Sequence, residues 1–198
     1  GSIWQNTTNR LDDGTVFSGD VAGKITNFST EPSLIKLPTH INFTGNFKGH
    51  SIHGIDVKVV LNNLSPVPVT TVNAEINEFA VSGISFSKSE TMTFGIRKAI
   101  GRSKMYGEMK GDMMDVRIQN YFTKIDYALE AENKTVKEIL RNVVKSIPIV
   151  TMRATALGPS ENLKWSIKSN LGQEISKGIK GQVQAKIDQA EAKLQKLI

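Results

Sequence analysis

Cysteine is absent from this 198-residue chain, which excludes a disulfide framework, a thiolate zinc site and a cysteine nucleophile. Aromatic residues make up only 7%, and no basic stretch carries the interleaved aromatics of an RNA-binding surface or the spacing of a zinc finger. No apolar run approaches the roughly 20 residues needed to span a bilayer. Gly45-Asn46-Phe47-Lys48-Gly49 lacks the Walker spacing and the Lys-Ser/Thr ending of a phosphate loop, and no Gly-x-Ser-x-Gly elbow accompanies the serines. These absences argue against an enzyme and imply no cofactor.

Histidine is nearly as scarce, at 3 residues. His50 and His53 are a close pair, but they fall at an expected β-turn where positions three apart point to opposite faces, with Asp56 the nearest carboxylate. No metal site is expected there. Asp12-Asp13-Gly14 and Gly111-Asp112 with Asp115 place carboxylates beside glycine without the spaced ligands of a calcium loop, and both read as turns. The net charge of +6 is scattered apart from Arg97-Lys98, Arg102, Lys104 and the C-terminal tail. Without a concentrated basic face, no specific nucleic-acid partner is implied. Five sequons, at Asn6, Asn27, Asn42, Asn63 and Asn133, read as Asn/Thr-rich strand and turn chemistry.

What the chain does have is a two-residue apolar period from Gly14 to Ala131, the mark of half-buried strands. Phe17, Val21 and Ile25 alternate with polar residues and are followed by a break at Glu31-Pro32 to Leu37-Pro38. Ile41, Phe43 and Phe47 resume the alternation, Gly49 to Ser51 turns, and Ile55, Val57, Val59 and Leu61 share the face of the next arm. Val72, Ala74 and Ile76 then alternate, with a change of phase near Gly83 that predicts a bulge or short turn. A short strand holding Met92, Phe94 and Ile96 precedes Met105, Met109 and Met113, whose flexible thioethers suit irregular core gaps. Val116, Ile118, Phe122, Ile125, Tyr127 and Leu129 continue the pattern. Strands follow one another without intervening helices, as in an antiparallel meander.

The period then changes to three and four. Thr135-Val136-Lys137-Glu138 reads as a capping box opening a helix over 135–147, whose stripe Val136, Ile139, Leu140, Val143, Val144 and Ile147 ends at Pro148. Packing on the sheet is the expectation; a basic amphipathic helix lying on a membrane is the alternative. Strands over Val150 to Ala156 and Leu163 to Ile167 follow, joined through Gly158-Pro159-Ser160. A C-terminal helical tail over 172–198 carries a narrow stripe from Ile175 to Leu197. The organisation is thus a Gly-Ser scar of a cleaved tag at 1–2, a β-rich domain over 3–171, and the tail.

Trp4, the run Gly19-Asp20-Val21-Ala22-Gly23-Lys24-Ile25-Thr26-Asn27-Phe28-Ser29-Thr30, Leu37-Pro38, and Leu163-Lys164-Trp165-Ser166-Ile167-Lys168-Ser169-Asn170-Leu171 before a Lys/Gln/Ala helix resemble the C-terminal part of a family of Gram-negative envelope proteins, broadly similar to the AsmA-like and TamB-like proteins. The resemblance implies a periplasmic β-rich body, anchored to the inner membrane by a segment outside this sequence, that serves the envelope and handles lipid in a curved sheet. It supplies no catalytic residues.

The resulting expectation is a mainly β (α+β) fold: a curved antiparallel meander with one packed amphipathic helix and a C-terminal helix. One sheet face would be built from Phe17, Val21, Ile25, Ile41, Phe43, Val57, Val59, Ile118, Trp165 and Ile167. Left uncovered, that face could bind lipid. Fully covered, the module would be structural or would bind another envelope protein without a small-molecule ligand.

Overall fold

The computed structural model describes residues 2–10, 16–88 and 90–195. The described residues form a nine-stranded sheet in strict sequence order, with β1 and β9 as its edges. The strands are β1 (Ser2–Arg10), β2 (Val16–Thr26), β3 (Thr39–Phe47), β4 (Ile52–Asn62), β5 (Val69–Lys88), β6 (Met92–Lys110), β7 (Met113–Ala131), β8 (Val150–Pro159) and β9 (Lys164–Ser169). The helices are α1 (Pro32–Ile35), α2 (Lys134–Lys145) and α3 (Leu171–Gln195). The sheet is antiparallel and not closed, as the alternating pattern predicts. Of the expected turns, Asp12-Asp13-Gly14 lies outside the described residues, and Gly111-Asp112 connects β6 to β7.

Two local expectations need correction. The strand expected to end near Ile96 runs on without a break to Lys110. Glycine does not interrupt it because glycine is needed there: a Cβ at Gly101 would fall 2.4 Å from Cζ of Phe79, so the bare backbone makes room for the ring. At Gly83, where a bulge or short turn is expected, β5 runs on, with φ at +70°, a conformation open to glycine and strained for other residues.

The second correction concerns the start of α2. The cap is Asn133, two residues before the expected Thr135: its side-chain oxygen accepts from the Val136 N–H at 3.1 Å. Asn is as good a cap as Thr or better, and here it wins. At the other end the Ser146 N–H donates to the Val143 carbonyl at 3.0 Å, and Pro148 follows. Of the expected stripe, Val143, Val144 and Ile147 are buried, Ile139 and Leu140 are half-buried, and Val136 is 42% exposed. The anchoring part of the stripe therefore lies in the last turn.

Contacts divide the chain into two compact units. The first comprises 1–80, 100–121 and 152–168, and the second comprises 81–99, 122–151 and 169–198, so that β5 to β9 contribute to both. The second unit is two-layered. Ile96, Phe122, Leu129, Val143, Val144, Ile147 and Val150 are each at most 7% exposed and form its core. Leu171, also 7% exposed, opens α3, and Gly178 brings that helix against Val143 of α2. Asn170 ties the start of α3 to β8: its side chain accepts from the Thr151 N–H at 2.9 Å and donates to the Ile149 carbonyl at 3.1 Å.

The first unit has nothing comparable. Among its described residues, the only fully buried apolar side chains are those of Ala154 and Ala156. Its described residues form sheet, loops, the short helix α1 and a 3-10 turn at Lys48–His50, which leaves one question for its chemistry: what each face of the sheet presents.

Candidate functional site: the apolar face of the first unit

Register answers that question for β2 to β5. Residues directly opposite one another in an antiparallel pair share a face. Ile25 pairs with Ile41, Ile41 with Val59, and Val59 with Val72. One rung along, Gly23, Phe43, Val57 and Ala74 stand in line, and beyond them Val21, Gly45, Ile55 and Ile76. These three rungs are apolar across four strands. All of their side chains are half-buried rather than buried.

β6 and β7 extend the face. The Cβ position of Gly107 lies 3.9 Å from Val72, which puts the odd-numbered residues of this part of β6, including Met105, on the apolar side and Tyr106 on the other. The Arg117 guanidinium sits over the Tyr106 ring at 5.8 Å, so Arg117 belongs to the opposite face and Ile118 to the apolar one.

The opposite face is polar and largely self-satisfied. Its rungs include Lys24, Asn42, Lys58 and Asn73, then Ala22, Thr44, Asp56 and Glu75. Glu75 accepts from Arg102 at 2.8 Å and lies 3.4 Å from Lys104, and the Arg102 hydrogen bond holds its carboxyl below the usual range. Arg153 donates to Gln119 at 2.9 Å, and Arg117 pairs with Asp115. Tyr106 donates to Glu108, and that hydrogen bond raises its phenol above the ordinary value. A shallow cleft of about 430 Å³ opens among Lys104, Tyr106, Arg117, Gln119 and Arg153. With these charges already engaged, it leaves no concentrated cationic site. Among the described residues no three His, Asp or Glu side chains converge to hold a metal ion.

Of the face expected from sequence, Val21, Ile25, Ile41, Phe43, Val57 and Val59 come together in register, and Ile118 joins them by the argument through Tyr106. Phe17 is paired with Asn9 through the backbone, and its side chain lies outside those described. Trp165 and Ile167 stand apart, on the edge strand β9, where they are 56% and 67% exposed. Val72, Ala74, Ile76 and Met105 belong to the face as well. Their alternation is plain in the sequence, but only register shows which neighbours they meet. No protein-family model, curated protein or solved structure matches the chain.

Proposed function

We propose that the first unit is a non-catalytic, lipid-binding module of a membrane-anchored periplasmic envelope protein, and that its apolar sheet face holds acyl chains. One observation carries this reading: three successive apolar rungs across β2 to β5 whose side chains are half-buried rather than buried. A sheet face of this composition is ordinarily buried against a second layer, and a persistent exposed apolar surface marks a binding site. Acyl chains suit it, because the rungs present Ile, Val and Phe without a charged group between them.

Native mass spectrometry of the purified protein is expected to show adducts of phospholipid mass. A Phe43→Ser/Val57→Ser variant that still unfolds cooperatively should lose them. Absence of adducts, together with failure to take up a fluorescent phospholipid offered in excess, would reject the reading in favour of a structural or protein-interaction module.

A further inference from the structure

The loops at one end of the first unit present apolar side chains to solvent. Register places them together: Thr26 pairs with His40, Thr39 with Leu61, and Asn62 with Val69, so the connections 27–38 and 63–68 leave the same end of the sheet. The Gly111 N–H donates to the Pro68 carbonyl at 3.2 Å, bringing the β6–β7 turn beside them. At this end Phe28 is 74% exposed, Leu34 75%, Leu37 52%, Leu64 43%, Val67 46% and Met113 46%.

These loops are built to hold such side chains out. The Asn27 side chain donates to the Pro38 carbonyl at 3.2 Å and the Thr39 hydroxyl donates to the Asn27 carbonyl at 3.1 Å, tying both ends of the first loop together. Within it the Leu34 N–H donates to Glu31 and the Glu31 N–H to Ser29. In the second loop the Leu64 N–H donates to the Asn62 side chain, and the Ser65 hydroxyl to the Val67 carbonyl. A closed loop could turn its apolar side chains inward, as compact loops do; these do not.

We propose that this end is a docking surface for a lipid bilayer, with Phe28, Leu34, Leu37, Leu64 and Val67 seated in the interfacial region. Three features favour a bilayer. Backbone groups that already have partners lower the cost of leaving water, and Pro66 and Pro68 have no N–H to satisfy. The charges cancel: Glu31 faces Lys36 in number, Asp112 faces Lys110, and 63–68 has none. The surface therefore matches zwitterionic headgroups and needs no anionic lipid. Finally, it is continuous with the apolar face, since the rung Ile25, Ile41, Val59 and Val72 lies one residue inside the end of β2 and three inside the end of β4. The further idea that lipid passes from bilayer to sheet at this end rests on the lipid-binding reading above, whereas docking does not.

Flotation of the full chain with phosphatidylcholine vesicles tests docking. The protein is expected to float, and Phe28→Ser/Leu34→Ser/Leu64→Ser to partition at least about tenfold more weakly. Val67→Trp should show a blue-shifted emission on adding the same vesicles, a readout independent of the triple variant's behaviour. Failure of the wild type to float would overturn docking while lipid adducts in mass spectrometry would leave the sheet reading standing; flotation without adducts would do the reverse. Binding that requires phosphatidylglycerol and vanishes in high salt, or a triple variant that loses self-association but still floats, would also overturn it.

Discussion

Gly178 and Gly181 lie about one turn apart in α3 and meet opposite surroundings. A Cβ at Gly178 would stand 2.5 Å from Cγ1 of Val143, which is 1% exposed and stiff at χ1, whereas nothing lies within 4 Å of one at Gly181. Helix propensity alone would have both Gly→Ala changes stabilise by up to about 1 kcal/mol. The expectation is instead that Gly181→Ala raises the thermal midpoint and Gly178→Ala lowers it. A rise in both would show that α2 and α3 approach less closely. Tyr127 supplies a pH-dependent counterpart. Its hydroxyl donates to the Ile147 carbonyl at 3.2 Å, its ring stacks on Phe94 at 6.0 Å, and burial pushes the phenol up to about 12. Folding thus favours the protonated form. That contribution is whole below the ordinary value of 10.0 and is lost as pH rises through about 12. Raising the pH from 10.0 to about 12 should therefore lower the urea midpoint of wild type relative to that of Tyr127→Phe; a constant difference would mean the buried hydroxyl is not what titrates.

At the scale of the element, α3 is two helices in one. Ile175 and Ile179 are half-buried in the stretch that meets α2, while Val183 and Ile187, on the same stripe, are each 45% exposed. Removing 182–198 should accordingly leave cooperative unfolding and shift stability by less than about 1 kcal/mol, as for other exposed positions. Denaturant unfolding and size-exclusion chromatography check this, and collapse of the fold would place the distal half in the core. The uneven burial was not legible in sequence, where the apolar spacing continues unchanged. For α2 the reverse holds, since its stripe marks the helix plainly. The choice of cap was hidden, because Asn133 and Thr135 are both good caps and sequence does not rank their local geometry, and so was the exposure of Val136 at the start of the stripe.

For the whole molecule, two-residue alternation made the strands and their meander readable, because adjacent strands in sequence pair far more often than not. Strand lengths were less so. β5, β6 and β7 run to 20, 19 and 19 residues, well beyond the usual 5 to 6, and the short strand expected around Ile96 continues through Gly101, a site of close approach. The candidate site was half legible. Alternation shows that Ile41 and Phe43 share a face, but that Val59 and Val57 stand opposite them is a fact of register, which depends on turn geometry and the bulge between Gly45 and Phe47. Trp165 and Ile167 have the same alternation and were grouped with that face, yet they occupy an edge strand where exposure is high.

The strict β1-to-β9 order also bears on how the sheet comes into being. No strand waits for a partner from a distant part of the sequence, so loop-closure entropy is met one hairpin at a time and relative contact order stays low for an all-antiparallel sheet of this size. Such an arrangement can nucleate at any well-formed hairpin and lengthen in either direction. Each step resembles the last, in the manner of a linear array rather than a barrel that must close to exist.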